Sequence, residues 1–378
     1  MIRLAIVRQK YNPHGGAERF VTRALQALSQ RRALDVTLLC REWKDGGSWH
    51  CQQLRPFHLG RAWRERAFAR AAQREFGRFD LVQSHERVPG CDVFRAGDGV
   101  HAVWLEQYAR TQSGWANLLR RFSPFHRYVL AAERAMLSHP RLRMVICNSE
   151  LVRAQIAERF AVPDDKLCVI YNGVDTEAFH PQLSDKYRYI QRQAWGVPQD
   201  APLLVHVGSG FERKGVATTL RALAQVEGVY LVVAGHDKAA RRYRRLADTL
   251  GVAHRVRFLG AVNDVKPVYG AGDALVLPTL YDPFPNVCVE ALAAGLPVFT
   301  STQCGAAEWL REGENGWVRD ALDVDGLAAA IADWQRHQAD WPRLRAAARA
   351  TAEPHTLARM GQALEDLYAR LLTPQGTE

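Results

Sequence analysis

The sequence predicts an α/β protein made of two doubly wound domains, on three observations. Short β-rich apolar runs alternate with helical patterns along almost the whole chain. The alternation pauses at a polar loop, Tyr171–Pro181, whose Asn172-Gly173 pair is a turn signal, and then restarts. The length of 378 residues exceeds one comfortable core but suits two domains of roughly 150–200 residues each. Repeated βαβ units imply parallel sheets covered on both faces.

The elements follow in order. Leu4–Val7 reads as a strand, and Gly15-Gly16 opens a helix running to about Gln30. Val36–Cys40 is the next strand, followed by a helix over Ala62–Phe76 and strands at Leu81–Gln83 and Asp92–Phe94. Trp115–Leu137 reads as one long helical stretch. Leu142–Cys147 is a strand, and Ser149 is placed to cap a helix through Phe160. Leu167–Ile170 closes the first series. The second contains strands at Leu203–Val207, Tyr230–Ala234, Val256–Leu259, Ala274–Leu277 and Pro297–Thr300. Last comes an amphipathic helix over Thr356–Leu372, with Leu357, Met360, Leu364, Leu367 and Leu371 near helical spacing. The pattern is that of two Rossmann-like domains, expected at residues 1–180 and 181–354, with residues 355–378 as a terminal helix.

Charge is distributed unevenly. Residues 1–180 hold 28 Lys and Arg against 18 Asp and Glu, whereas residues 181–378 hold 22 of each. The whole net charge of +10 therefore sits in the first half, which implies an anionic partner. Seven cysteines are scattered without C-x-x-C spacing, as expected of buried thiols in a reducing cytoplasm. Met1–Lys10 lacks the long apolar core of a signal peptide, and no run approaches the roughly 18 apolar residues of a membrane span. The expectation is a soluble or surface-bound protein.

In parallel sheets, ligands bind beyond the carboxyl ends of strands. Four post-strand segments carry the chemistry. The first holds Gly15-Gly16, where backbone N–H groups at a helix start suit a phosphate. In Gly208–Gly215, Arg213 and Lys214 are adjacent cations that suit a diphosphate. Leu280–Pro297 places Asp282 before a helix opening near Pro285 and Asn286, with Glu290 about one turn inside. Both carboxylates are equipped to accept sugar or ribose hydroxyls. The fourth brings His85, at a strand end, and Asp98 and His101, in a glycine-bracketed loop, as candidates to position or deprotonate an acceptor hydroxyl. Walker-A spacing is absent, as are zinc-finger, basic-zipper and RNA-binding signatures.

These residues support a resemblance. Asp282 and Glu290, separated by seven residues, followed by E-A-x-A-x-G-x-P-V over Glu290–Val298, resemble the donor signature of retaining family-4 glycosyltransferases of the GT-B fold. Gly208–Gly215 resembles that family's G-x-x-x-x-x-K-G phosphate loop. Within the family, Lys10-Tyr11, Pro13, Gly15-Gly16, Val88–Val93 and the loop holding Asp98 resemble glucosyltransferases that glucosylate a heptose of the lipopolysaccharide inner core. The resemblance implies two domains facing across a cleft and a last helix crossing back to the first. The first domain would bind the acceptor and the second the nucleotide sugar.

By the same resemblance, Arg213 and Lys214 would hold the diphosphate, Glu290 the ribose and Asp282 the donor-sugar hydroxyls. Phe284, Asn286 and Val287 belong to the same donor segment. The Gly15-Gly16 loop would close on the phosphates, and Asp98 would lie on the acceptor side. Asp282 stands where the family usually has Glu, one methylene longer, which leaves the donor sugar open. Transfer would retain anomeric configuration by front-face attack, with no metal and no cofactor beyond a nucleotide-sugar co-substrate, UDP-glucose by the nearest resemblance. The acceptor would be lipopolysaccharide core or another anionic glycolipid. The arginine-rich segments around Arg61–Arg78 and Trp115–Tyr128 suit an anionic membrane surface. Together these imply a cytoplasmic enzyme peripheral to the inner face of the cytoplasmic membrane, with no nucleic-acid partner. A different sugar or acceptor, a nucleotide-sugar epimerase and a basic nucleic-acid-binding protein are the alternatives.

Overall fold

The computed structural model describes residues 2–10, 34–43, 50–112, 114, 115, 120 and 122–373. Two compact units emerge. Unit 1 comprises Met1–Asn172 and Leu357–Glu378, and unit 2 comprises Gly173–Thr356. The chain enters unit 2 at Gly173, before the expected boundary at residue 180. The reason is local bonding: Val174 N donates to His355 O at 2.9 Å, and Arg349 Nη1 donates to the carbonyls of Thr176 and Phe179.

Unit 1 is built on strands β1 (Ile2–Val7), β2 (Leu34–Cys40), β3 (His50–Gln53), β4 (Leu81–Ser84), β5 (Val93–Arg95), β6 (Met144–Cys147) and β7 (Leu167–Val169). They form one parallel sheet in the order β3-β2-β1-β4-β5-β6-β7. Leu4, Ala5, Ile6 and Val7 are all at most 1% exposed, so both faces of β1 are covered. On one face, Leu4, Ile6 and Leu38 pack with Met360, Leu364, Leu367 and Leu371 of the helix Leu357–Leu372. Tyr368 Oη donates to Gln83 Oε1 at 2.6 Å, tying this helix to β4.

Two expectations change here. His101 is not in a loop but is the first residue of a helix, His101–Ala109. The stretch Trp115–Leu137 is not one helix either. A separate helix begins at Pro124 after the extended Ser123, because proline favours the first helical turn and biases its predecessor out of the helical region. β3 was not anticipated; His-Cys-Gln-Gln carries no β-branched residue.

Unit 2 repeats the architecture with β8 (Leu203–Val207), β9 (Tyr230–Ala234), β10 (Val256–Gly260), β11 (Ala274–Leu277), β12 (Val298–Ser301) and β13 (Gly316–Arg319). Their order is β10-β9-β8-β11-β12-β13, again all parallel. The N-terminal helix Leu183–Trp195 is pinned by Arg192, which is fully buried. Its guanidinium reaches Asp273 Oδ2 at 2.6 Å and donates to the carbonyls of Pro198, Gln199, Ala201 and Ala271. Asp273 also accepts from Leu203 N and Arg188, so the buried charges are satisfied and β8 is fixed beside β11.

The strand orders locate the sites. In each sheet the direction of winding reverses at one pair of strands, β1 and β4 in unit 1, β8 and β11 in unit 2. The loops leaving those strands diverge and open a crevice at their carboxyl ends.

Candidate active site

In unit 2 the two diverging loops carry the predicted cations and carboxylates. The loop after β8 must pass very close to the chain after β11. A Cβ on Gly215 would lie 2.0 Å from the carbonyl oxygen of Pro278, and Gly215 has φ +77°, so only glycine fits. Phe211, 1% exposed, anchors the loop in the core, and its N–H donates to Asp237 Oδ2 at 2.7 Å. Leu280 N and Thr279 Oγ1 both donate to the carbonyl of Arg213. The backbone of the cation pair is thereby stitched to the segment that holds Asp282.

The side chains complete the contact. Arg213 Nη1 donates to Asp282 Oδ2 at 2.8 Å, and Lys214 Nζ donates to the same oxygen. Asp282 is buried, and its backbone is fixed by Asp282 N donating to Gln303 O and Gly305 N donating to Asp282 O. Burial works to raise the Asp282 pKa, but Lys214 and Arg213 together outweigh it and hold the carboxyl below its ordinary value. Asp282 is therefore the shared counter-ion of both cations.

The helix Asn286–Ala293 begins directly after Pro285, an N-cap residue with no side-chain acceptor of its own. Its positive end suits an anion. Glu290 is 5% exposed rather than on the helix surface, and Tyr269 Oη donates to its Oε2 at 3.1 Å. Asn286 and Val287 are partly exposed in that first turn. Phe284 is turned inward, its ring edge-on to Trp309 with centroids 4.8 Å apart. The structure thus brings Arg213, Lys214 and Asp282 into direct contact, holds Glu290 on the helix that follows and uses Phe284 as packing.

In unit 1 the residues after β1 and β4 meet. Gln9 N donates to Glu86 Oε1 at 2.9 Å, and Arg8 lies 3.6 Å from Glu86 and 3.7 Å from Asp98. The Asp98 side chain is 54% exposed. Its loop is held by a residue that sequence reasoning missed, Glu133, which is 2% exposed. Glu133 accepts from Arg87 Nε at 2.8 Å and from the backbone N–H of His101 at 3.1 and 3.2 Å. It thereby caps a helix whose N-cap residue, Val100, has no side-chain acceptor. Arg87 also donates to Gly99 O. No local signal could have revealed a cap lying on another helix.

Asp98 and His101 share a cavity of about 490 Å³. His101 Nε2 lies 3.0 Å from His126 Nδ1, and burial, Arg87 and His126 push the His101 pKa down to about 3. His85 is elsewhere, 6% exposed at the end of β4, and lines neither this cavity nor its neighbour. Gln83 Nε2 lies 3.0 Å from His85 Nε2; an amide nitrogen only donates, so that ring nitrogen accepts and the proton sits on Nδ1. Burial, then Arg95 and Arg8, hold His85 neutral. Glu86, also missed, has a raised pKa from burial, partly offset by Arg8. Gly15 and Gly16 lie outside the described residues.

Comparison with known proteins adds the following. Residues 14–178 match the family described as Glycosyltransferase Family 4, and residues 188–352 that described as Glycosyl transferases group 1. The lipopolysaccharide glucosyltransferase WaaG of Escherichia coli K12 is 29% identical over 280 residues, 69% of this chain and 73% of the relative. The lipopolysaccharide core biosynthesis glycosyltransferase LpsE of Rhizobium meliloti 1021 is 26% identical over 327 residues, 85% of this chain and 86% of the relative. A crystal structure of WaaG, described as a glycosyltransferase involved in lipopolysaccharide biosynthesis, superposes with a TM-score of 0.81 at 25% identity. It covers 96% of this chain and 99% of that one.

The buried Asp282 contact gives a pH-dependent expectation. A depressed carboxyl pKa stabilises the fold above the unfolded value of about 3.9 and is lost as pH falls through the folded value. Asp282→Asn should lower stability at neutral pH by about 3 kcal/mol, since it leaves buried Lys214 without its counter-ion. As pH falls below about 4, toward the depressed folded value, the gap between wild type and variant should narrow. Thermal melts from pH 7 to pH 3 measure this, and a gap constant with pH would contradict it.

Proposed function

Because this chain belongs to the glycosyltransferases, a Family 4 domain followed by a group 1 domain in the two-domain GT-B fold, we propose that it transfers glucose from UDP-glucose to a heptose of lipopolysaccharide core. The observation that carries the donor half is the arginine–lysine pair held on one carboxylate oxygen at the switch point of unit 2. Two adjacent cations beside a helix start match the charge of a nucleoside diphosphate. The acceptor half rests on the likeness to relatives named for lipopolysaccharide glucosyl transfer and core biosynthesis.

In this reading the diphosphate takes over Arg213 and Lys214, and Asp282 turns from its cations to hydroxyls of the donor sugar. Glu290, steadied by Tyr269, accepts hydroxyls of the ribose. As the bond from sugar C1 to the diphosphate breaks, negative charge grows on the leaving oxygen. Arg213 and Lys214 neutralise it, which lowers the barrier without a metal ion or further cofactor. The acceptor hydroxyl attacks C1 from the face the diphosphate leaves, so configuration is retained, and its proton passes to a phosphate oxygen. Residues of unit 1 around Asp98 position the acceptor.

The enzyme is further proposed to work as a cytoplasmic protein peripheral to the inner face of the cytoplasmic membrane. Among the described residues no helix is long and apolar enough to cross a membrane. Unit 1 exposes Phe57, Trp63, Trp115 and Phe122 among its many arginines, which suits an anionic headgroup layer.

Two experiments test these readings. Nucleotide release is measured from UDP-, GDP- and ADP-sugars with a chelator present, with and without heptose-terminated lipopolysaccharide. Release from UDP-glucose only with acceptor is expected. Acceptor-dependent release from another donor would move the specificity, and release of no nucleotide would contradict the transfer. For the membrane, flotation with phosphatidylglycerol vesicles should recover the wild type and lose a Trp115→Ser, Phe122→Ser variant; equal recovery of both would contradict the assignment.

A further inference from the structure

Unit 1 holds a second cavity, of about 190 Å³, beside the one that contains Asp98. Arg87, His101 and Phe125 line both, so the two adjoin as neighbouring parts of one groove. Its ends differ in chemistry. Gln9, Glu65 and Glu86 line only the smaller part, and Arg61, Trp104 and Arg120 only the larger.

The arginines at the larger end are not spent on carboxylates in the same way. Arg87 is paired with Glu133. Arg61 and Arg120 have no carboxylate partner among the described residues and rest on rings instead. The guanidinium carbon of Arg61 lies 4.8 Å from the Phe125 centroid, and that of Arg120 lies 3.9 Å from the Tyr108 centroid. Nη1 of Arg120 is shielded from solvent and has no hydrogen-bond partner among the described residues. A buried, unsatisfied guanidinium nitrogen is costly unless a ligand completes it.

The surroundings narrow the ligand. The hydrogen-bonded pair His101–His126 adds polar ring atoms, and both pKa values are lowered, so the histidines offer hydrogen bonds rather than charge. Trp104 stacks between His101 and Tyr108, with centroids 5.6 and 5.3 Å away, so aromatic rings form one wall of the larger cavity. At the other end, carboxylates would repel a polyanion or a flat anionic bilayer but accept sugar hydroxyls.

We propose that this groove binds an anionic saccharide, its hydroxyls donating to Glu65 and Glu86 and its phosphate or carboxylate held by Arg61, Arg87 and Arg120. The assignment rests on the reading of the chain as a glycosyltransferase and gives the chemical class of its acceptor. Arg suits either anion through paired N–H donors.

Donor-free calorimetry of the full chain separates this site from the transfer itself. The probes are a delipidated heptose-containing core oligosaccharide, its dephosphorylated form, its carboxyl-reduced form and the doubly neutralised form. Affinity should fall about tenfold or more when the recognised anion is removed, and the form that loses affinity says which anion it is. An Arg61→Gln, Arg120→Gln variant, with the melting midpoint of wild type as evidence of folding, should bind the intact oligosaccharide about as weakly as wild type binds that form. Equal affinity of wild type for the intact and doubly neutralised forms would overturn the site, as would wild-type affinity in the variant. Binding of phosphatidylglycerol vesicles through these arginines without saccharide binding would overturn it in favour of a lipid headgroup. If acceptor-dependent nucleotide release fails while anion-dependent binding persists, the groove stands and the transfer reading falls.

Discussion

A single carboxylate oxygen on Asp282 receives Arg213 and Lys214, and the candidate site of unit 2 is organised around that contact. Two cations side by side repel each other, and Lys214 is 9% exposed, where an uncompensated charge is strongly disfavoured. Asp282 makes the pair tolerable before any ligand arrives. Gly215 permits the close approach that the contact needs, and Arg213's carbonyl, bonded to Leu280 and Thr279, fixes the backbone beneath it. A ligand carrying two phosphate charges can replace one carboxylate and release it for the sugar. The shorter Asp, in place of Glu, sits close under the cations and has less reach outward.

Unit 1 solves the corresponding problem with Glu133. This one residue neutralises Arg87, caps the helix at His101 and, through Arg87 and Gly99, holds the loop that presents Asp98. The same sheet reversal that opens the crevice brings Arg8, Gln9 and Glu86 to its floor. The positive charge of the first half is thus not uniformly solvated. Part of it, at Arg61, Arg87 and Arg120, converges on a groove whose other end is acidic.

Much of this was legible in the sequence because the core strands announce themselves locally. β8, β9 and β11 were read to the residue, since Leu203–Val207, Tyr230–Ala234 and Ala274–Leu277 are short apolar runs bounded by turn residues. The proposed donor residues were singled out because they follow those strands. What failed depended on long-range contacts. The helix His101–Ala109 was missed because its cap, Glu133, lies on another helix. The role of Asp282 as a shared counter-ion, and the burial of Glu290 against Tyr269, follow from loops that meet only in the folded sheet. Arg120 over Tyr108 is likewise a tertiary contact with no spacing signature.

The central claim is that Arg213 and Lys214 are a diphosphate site held ready by Asp282. Calorimetric titration of UDP and of uridine into wild type and Lys214→Gln tests it most directly, without acceptor or turnover. The expected result is that UDP binds wild type far more tightly than uridine does, and that the substitution removes about tenfold or more of that advantage while leaving uridine unchanged. UDP binding equally well to both proteins would contradict it.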